Sequence, residues 1–204
     1  MTITELKRTH GERWVMILDD GRVVKTTVNV VADYALAIGR ELGEDELAQL
    51  TAESQTERAK LRALRIIGAR PMSCRELYDR LVEKGESERD AAECVEYLLK
   101  LHFLDDADYA AMTVRHYAAK GYGPRRIRDE LYRRKVPKHL WDEAMEQIPE
   151  QEGEIDRLLE KRLRGADGDD RAAIKKAGDA LMRRGFGWDE VRTAIERWKN
   201  ANEF

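Results

Sequence analysis

Leu81-Val82-Glu83-Lys84, Leu131-Tyr132-Arg133-Arg134 and Leu181-Met182-Arg183-Arg184 stand at intervals of fifty residues, each a leucine followed three positions later by a base. The register continues outward through Val95, Met145 and Ile195, and through Glu96, Glu146 and Glu196. Small residues recur at Cys94, Ala144 and Ala194, and large apolar ones at Leu98, Ile148 and Trp198. A period this long, with apolar and charged positions both in phase, marks stacked supersecondary units and not one enzyme core.

Each unit reads as three helices. In the first, a helix over 57–67 ends at Gly68 and Pro71; Ser73 and Glu76 then form a capping box that opens a second helix. Gly85 stops that helix, and a third starts at Ser87 with the stripe Ala91, Cys94, Val95, Leu98, Leu99. In the second unit Asp106 or Asp108 starts a helix, Gly121-Tyr122-Gly123-Pro124 makes a corner, Ile127 and Leu131 face inward, and Pro137 opens the last helix. In the third unit the helices carry Ile155, Leu158, Leu159 and Leu163, then Ile174, Ala177 and Leu181, then Val191, Ile195 and Trp198.

The first 56 residues differ. Residues 14–18 and 22–30, joined by Asp19-Asp20-Gly21, read as a β-hairpin, followed by short helices over 33–40 and 44–53. The expected fold is mostly α: three tandem three-helix repeats (57–104, 105–150, 151–204) in an elongated curved array, after a small N-terminal β-hairpin and helix cap (1–56).

Composition agrees. Of 204 residues 38% are charged and 42% hydrophobic, with both signs mixed and Gly and Pro sparse, which is helical composition with much solvated surface. No apolar run approaches the roughly 20 residues a bilayer span needs, and no basic-then-apolar start suggests a signal peptide, so no membrane partner and a cytoplasmic location are expected. Cys74 and Cys94 lack metal or redox spacing and read as small core residues.

The net charge of -3 hides a segregation. From Arg115 to Lys138 nine bases (Arg115, Lys120, Arg125, Arg126, Arg128, Arg133, Arg134, Lys135, Lys138) face two acids, Asp129 and Glu130. From His139 to Asp156 there are seven acids (Asp142, Glu143, Glu146, Glu150, Glu152, Glu154, Asp156) and no Lys or Arg. Attraction is set by the local field within a Debye length, about 8 Å at physiological salt, so an acidic pI does not exclude a polyanionic partner.

The basic block supplies the candidate site. On a helix from Pro124, Ile127 and Leu131 point inward while Arg125, Arg128 and Lys135 spread over outer faces, with Arg126, Arg133 and Arg134 on the flanks. Arginine forks hold phosphate or carboxylate bidentately. Arg115 and Lys120 extend the block, and Tyr122 and Tyr132 are the aromatics expected at the surface; Tyr109, Tyr117, Trp141 and Trp198 sit at core spacing. Against this stands the reading of a solvated helix whose bases pair with neighbouring acids. Phe186 is expected to staple the last helix. No catalytic or metal constellation is present: the four histidines show no ligand spacing, Gly121-x-Gly123 follows no strand, and Asp105-Asp106 and Asp169-Asp170 read as helix starts. No enzyme and no cofactor are expected.

Three segments together resemble the RecX family of regulatory proteins: Phe103-Leu104-Asp105-Asp106-Ala107-Asp108-Tyr109-Ala110, Gly121-Tyr122-Gly123-Pro124-Arg125-Arg126-Ile127-Arg128-Asp129-Glu130-Leu131, and Arg183-Arg184-Gly185-Phe186-Gly187-Trp188-Asp189-Glu190-Val191. The resemblance covers about residues 57–198. It implies three tandem three-helix units, a monomer, and a RecA recombinase filament as partner, bound in the helical groove of the RecA-DNA filament with its ATPase and strand-exchange activity lowered. Two departures stand out. The first 56 residues resemble a leader found in some members, and Lys135-Val136-Pro137 stands where many relatives end the second repeat in Lys-Gly. The alternative is a sequence-independent DNA-binding helical module that touches the DNA backbone.

Overall fold

A single helix, α2 (Glu44–Ala69), runs through the point where the sequence suggests a boundary. The computed structural model describes residues 1–148, 152–167 and 170–202, with the side chain of Glu152 left aside; the readings that involve Glu150, Asp169 and that side chain lie outside the described residues. The chain divides into two compact units, Met1–Leu104 and Asp105–Phe204.

The first unit begins with an antiparallel meander, β1 (Ile3–His10), β2 (Arg13–Leu18) and β3 (Val23–Thr27). The β2–β3 hairpin turns at Gly21, whose φ of 84° is the left-handed conformation that Asp-Gly supplies. Strand β1 was not expected: its alternation is broken by Thr4, Glu5 and Lys7, and its core residue Ile3 sits at the far end. Strand β3 stops earlier than residue 30, because Thr27 caps α1 (Val28–Asp33) by accepting from the Val30 amide. The helix therefore precedes the expected 33–40 span, which carries no helix of its own.

Two expected helices, 44–53 and 57–67, are one. The first half of α2 buries Leu47 and Leu50 with Met16, Leu18 and Val24 of the sheet; the second buries Ala59 and Ala63 with Leu77, Leu81, Cys94 and Leu98. Between them the polar run that reads as a break is employed in tertiary bonds. The Ser54 hydroxyl donates to Thr26 (2.8 Å), while Gln55 and Thr56 donate to the buried Asp90 carboxylate (2.9 and 3.1 Å). Asp90 also accepts from Ser87, the residue that caps α4 (Glu88–Lys100). Helix α3 (Cys74–Glu83) starts as expected, with Ser73 accepting from the Glu76 amide at 3.1 Å.

The second unit carries α5 (Asp106–Ala119), α6 (Pro124–Arg133), a 3₁₀ turn Lys138–Leu140 running into the short α7 (Trp141–Met145), then α8 (Glu152–Leu163), α9 (Arg171–Arg183) and α10 (Trp188–Asn202). Asp105 caps α5 by accepting from two amides, and Asp170 caps α9 in the same way. The helix expected to open at Pro137 is thus reduced to five α-helical residues behind a 3₁₀ turn. Phe186 is fully buried ahead of α10, among Leu181, Val191 and Ala194.

The fifty-residue register is a structural identity. Leu81, Leu131 and Leu181 are each completely buried, and their carbonyls accept from the amides of Glu86, Val136 and Phe186. Gly85, Lys135 and Gly185 donate to Val82, Tyr132 and Met182 at 2.9 Å, so each unit's second helix ends in the same paired-bond turn. That turn requires positive φ, and it is taken at 88°, 56° and 94°. Lys135 accordingly adopts a conformation that its neighbours in register delegate to glycine, and the corner survives without one.

Candidate functional site

Helix α6 positions the basic block. Ile127, Glu130 and Leu131 are buried on one side, so residues turned roughly 180° away, Arg125, Arg128, Asp129 and Tyr132, lie in solvent. Arg125, Arg128 and Tyr132 follow i, i+3, i+7 spacing and form one exposed row, with Tyr132 67% exposed at its end. Arg126 is exposed on the flank. Among the described residues the side chains of Arg125, Arg126 and Arg128 take part in no ion pair or hydrogen bond. These three arginines are thus solvated, as the alternative reading has it, but pair with no acid among the described residues.

The other members of the block are placed differently. Arg133 pairs with Glu130. Arg134 is half-buried, donating to Glu130 at 2.8 Å and to the Tyr109 hydroxyl at 2.6 Å, with its guanidinium 5.8 Å from the Tyr117 ring centre. Burial pulls its pKa down, but bonds to Tyr117 and Tyr109 outweigh that and leave it raised. Arg134 is a core brace, not a free fork. Tyr122, expected at the surface, is half-buried: its ring lies 5.6 Å from that of Tyr117 and under the Arg184 guanidinium. Arg115 is exposed but donates to Gln147 at 2.5 Å, Lys120 lies over Tyr117, and Lys135 is the exposed turn residue described above.

The start of α6 is unusual in carrying two arginines and no acid in its first turn, where the helix dipole favours negative charge. Its neighbour resolves this. The carboxyl end of α9 abuts the amino end of α6: Gly123 donates to the Arg184 carbonyl at 2.9 Å and Arg125 to the Gly185 carbonyl at 3.1 Å. The negative end of one helix thus meets the positive end of the other, and Arg125 and Arg126 sit beside those carbonyls. The Arg184 guanidinium in turn donates to the carbonyls of Lys120 and Gly121 (3.1 and 3.0 Å), which end α5. Two motif segments distant in the chain, Gly121 to Arg126 and Arg183 to Phe186, form one joint.

Four further exposed bases lie on α9, outside the basic block read from the sequence: Arg171, Lys175, Lys176 and Arg183. Three of them were available from the register itself, since Lys175, Lys176 and Arg183 stand fifty residues beyond Arg125, Arg126 and Arg133. The acidic block is partly consumed internally, Glu154 pairing with Arg157 and Asp156 with Arg197. Among the described residues no three His, Cys, Asp or Glu side chains group as metal ligands.

Comparison with known proteins gives this joint a context. The family description "RecX, first three-helix domain" matches residues 59–98, "RecX, second three-helix domain" 105–145 and "RecX, third three-helix domain" 150–195. A "Regulatory protein RecX" of Vibrio campbellii is 32% identical over 144 residues, covering 70% of this chain and 93% of that protein. The chain belongs to the RecX family. A second RecX regulatory protein, from Trichlorobacter lovleyi, is 30% identical over 154 residues and is covered in full. The fold agrees with a crystal structure of a RecX regulatory protein at a TM-score of 0.72, with 96% of this chain and 98% of that one superposed at 22% identity. Each RecX three-helix domain thus falls on one turn of the fifty-residue register, and no helix among the described residues is long and apolar enough to cross a membrane.

Proposed function

We propose that this chain acts on a RecA recombinase, lying in the helical groove of the RecA-DNA filament and lowering its ATPase and strand-exchange activity, as a monomer in the cytoplasm, without cofactor and without catalysing a reaction of its own. Membership of a family of regulatory proteins carries the reading, and the row Arg125, Arg126, Arg128 and Tyr132 on α6 is the surface offered to the acidic groove or to DNA phosphate. The deciding experiment adds the purified chain to RecA assembled on single-stranded DNA and follows ATP hydrolysis. Hydrolysis should fall as the chain saturates the filament; an unchanged rate at saturation removes the proposal.

A second reading, sequence-independent binding to free DNA, is favoured by the absence of ion pairs on those arginines among the described residues. Reversal of Arg125, Arg126 and Arg128 to Glu separates the two. Inhibition retained without free-DNA affinity makes that affinity incidental, whereas loss of both assigns this face to a shared contact.

A further inference from the structure

The first unit has a cationic feature of its own. Where β2 and β3 meet the second half of α2, a cleft of about 290 Å³ opens, and Arg13, Trp14, Lys25, Arg58 and Arg62 help to line it. Its four cations come from three separate elements. Arg62 is committed elsewhere, donating to the Lys84 carbonyl and pairing with Glu86, both at 2.7 Å. Arg13, Lys25 and Arg58 take part in no side-chain ion pair or hydrogen bond among the described residues. Positive groups gathered around a concavity repel one another and focus a field that an anion would relieve.

Trp14 provides an independent sign. It stands opposite Thr26 in the β2–β3 register and lines the same cleft, half-buried. Its indole Nε1 is sealed from solvent and donates to no acceptor among the described residues. An unsatisfied buried donor is costly, and such donors are few in native structures. Because solvent does not reach Nε1 in the free chain, a ligand oxygen would supply the missing acceptor once the side chains over it are displaced.

We infer that this cleft binds single-stranded nucleic acid, holding one nucleotide of a passing strand. Phosphate oxygens meet Arg13, Lys25 and Arg58, and the nucleotide packs against Trp14. The volume suits a nucleotide better than an inorganic anion, and cations on separate walls follow a backbone instead of clamping one phosphate. An aromatic face takes any base, so sequence preference is absent. The inference needs no protein partner and stands apart from the reading of α6.

The test uses the full chain carrying R125E, R126E and R128E, which silences the α6 face. In the ¹⁵N spectrum each of the four tryptophans gives one indole signal, that of Trp14 being identified by its disappearance in Trp14→Phe. A thymidine oligonucleotide should shift the Trp14 signal. R13E with R58E should abolish that shift and weaken binding, read by fluorescence anisotropy, at least tenfold. If the double variant fails to fold, as loss of the dispersed backbone amide signals of the first unit would reveal, the exposed Lys25→Glu takes its place with a several-fold loss expected. A Trp14 signal unmoved at saturating oligonucleotide overturns the inference. So does an equal shift with ATP or inorganic phosphate at matched phosphate concentration, which would make this a small-anion site.

Discussion

Gly123 and Gly185 meet backbone to backbone: a Cβ on Gly123 would stand 2.5 Å from the carbonyl carbon of Gly185, and one on Gly185 would stand 2.3 Å from the Arg126 amide nitrogen. Neither approach can be relieved by swinging a flexible side chain aside. The two glycines hold the α9–α6 joint closed and so set the position of the arginines at the head of α6.

Gly85 and Gly185 make a matched pair for testing this. Both have positive φ, 88° and 94°, but a Cβ at Gly85 meets nothing within 4 Å. Gly85→Ala should lose about 1–2 kcal/mol from backbone strain alone. Gly185→Ala should lose the same plus about 1–3 kcal/mol of overpacking. Urea unfolding of the two variants measures the difference, and equal losses would mean that the joint is not tight.

Lys135 holds the same turn at φ 56° with a side chain on it. Lys135→Gly is therefore expected to stabilise the chain by about 1 kcal/mol, seen as a higher urea midpoint. A lower midpoint would show that the lysine side chain contributes more than its backbone costs.

Within the basic block, stability and binding should separate. Arg134→Met leaves the buried Glu130 carboxylate short of a partner and should destabilise by about 1–3 kcal/mol. Reversing Arg125, Arg126 and Arg128, all exposed, should change stability little while altering affinity for DNA or filament. Thermal melts alongside binding titrations check the division; a stable Arg134→Met protein would refute the bracing role.

Leu81→Ala, Leu131→Ala and Leu181→Ala should each lose on the order of 2 to 5 kcal/mol, since all three side chains are completely buried in equivalent turns. Calorimetry of the three proteins would expose any repeat whose loss is below 1 kcal/mol and thus outside the common register.

Cys94 gives a pH signature. Burial, reinforced by Glu86, pushes its thiol from 9.0 up to about 12. The folded state therefore keeps the proton that the unfolded chain releases, so its contribution is intact below about pH 9 and is lost as pH rises toward 12. Native protein at pH 8 should leave Cys94 unreactive toward Ellman's reagent until denatured. Cys94→Ala should lose less stability than the parent between pH 9 and 10.5.

The repeats were legible because a buried leucine, a turn and a cap recur in phase, and local chemistry enforces each of them. What escaped depended on distant partners. The polar run Ser54-Gln55-Thr56 reads as a helix break until Thr26 and Asp90 are seen to accept its hydrogen bonds. Arg134 and Arg128 look alike in sequence, yet Tyr109, twenty-five residues upstream of Arg134, makes one a brace and leaves the other in water. The α9 bases form no dense run in the chain, and it is the fifty-residue period alone that relates Lys175, Lys176 and Arg183 to the α6 block.

The uninterrupted α2, about 39 Å long at 1.5 Å per residue, has a practical consequence. A truncation that removes the first 56 residues would sever this rod midway, discarding Gln55 and Thr56, which donate to Asp90, and leaving a ragged start with no natural cap. Genetic dissection of the amino-terminal segment should spare everything from Gly43 onward, and a defect in a shorter fragment would speak of a splintered scaffold before it spoke of a missing regulator.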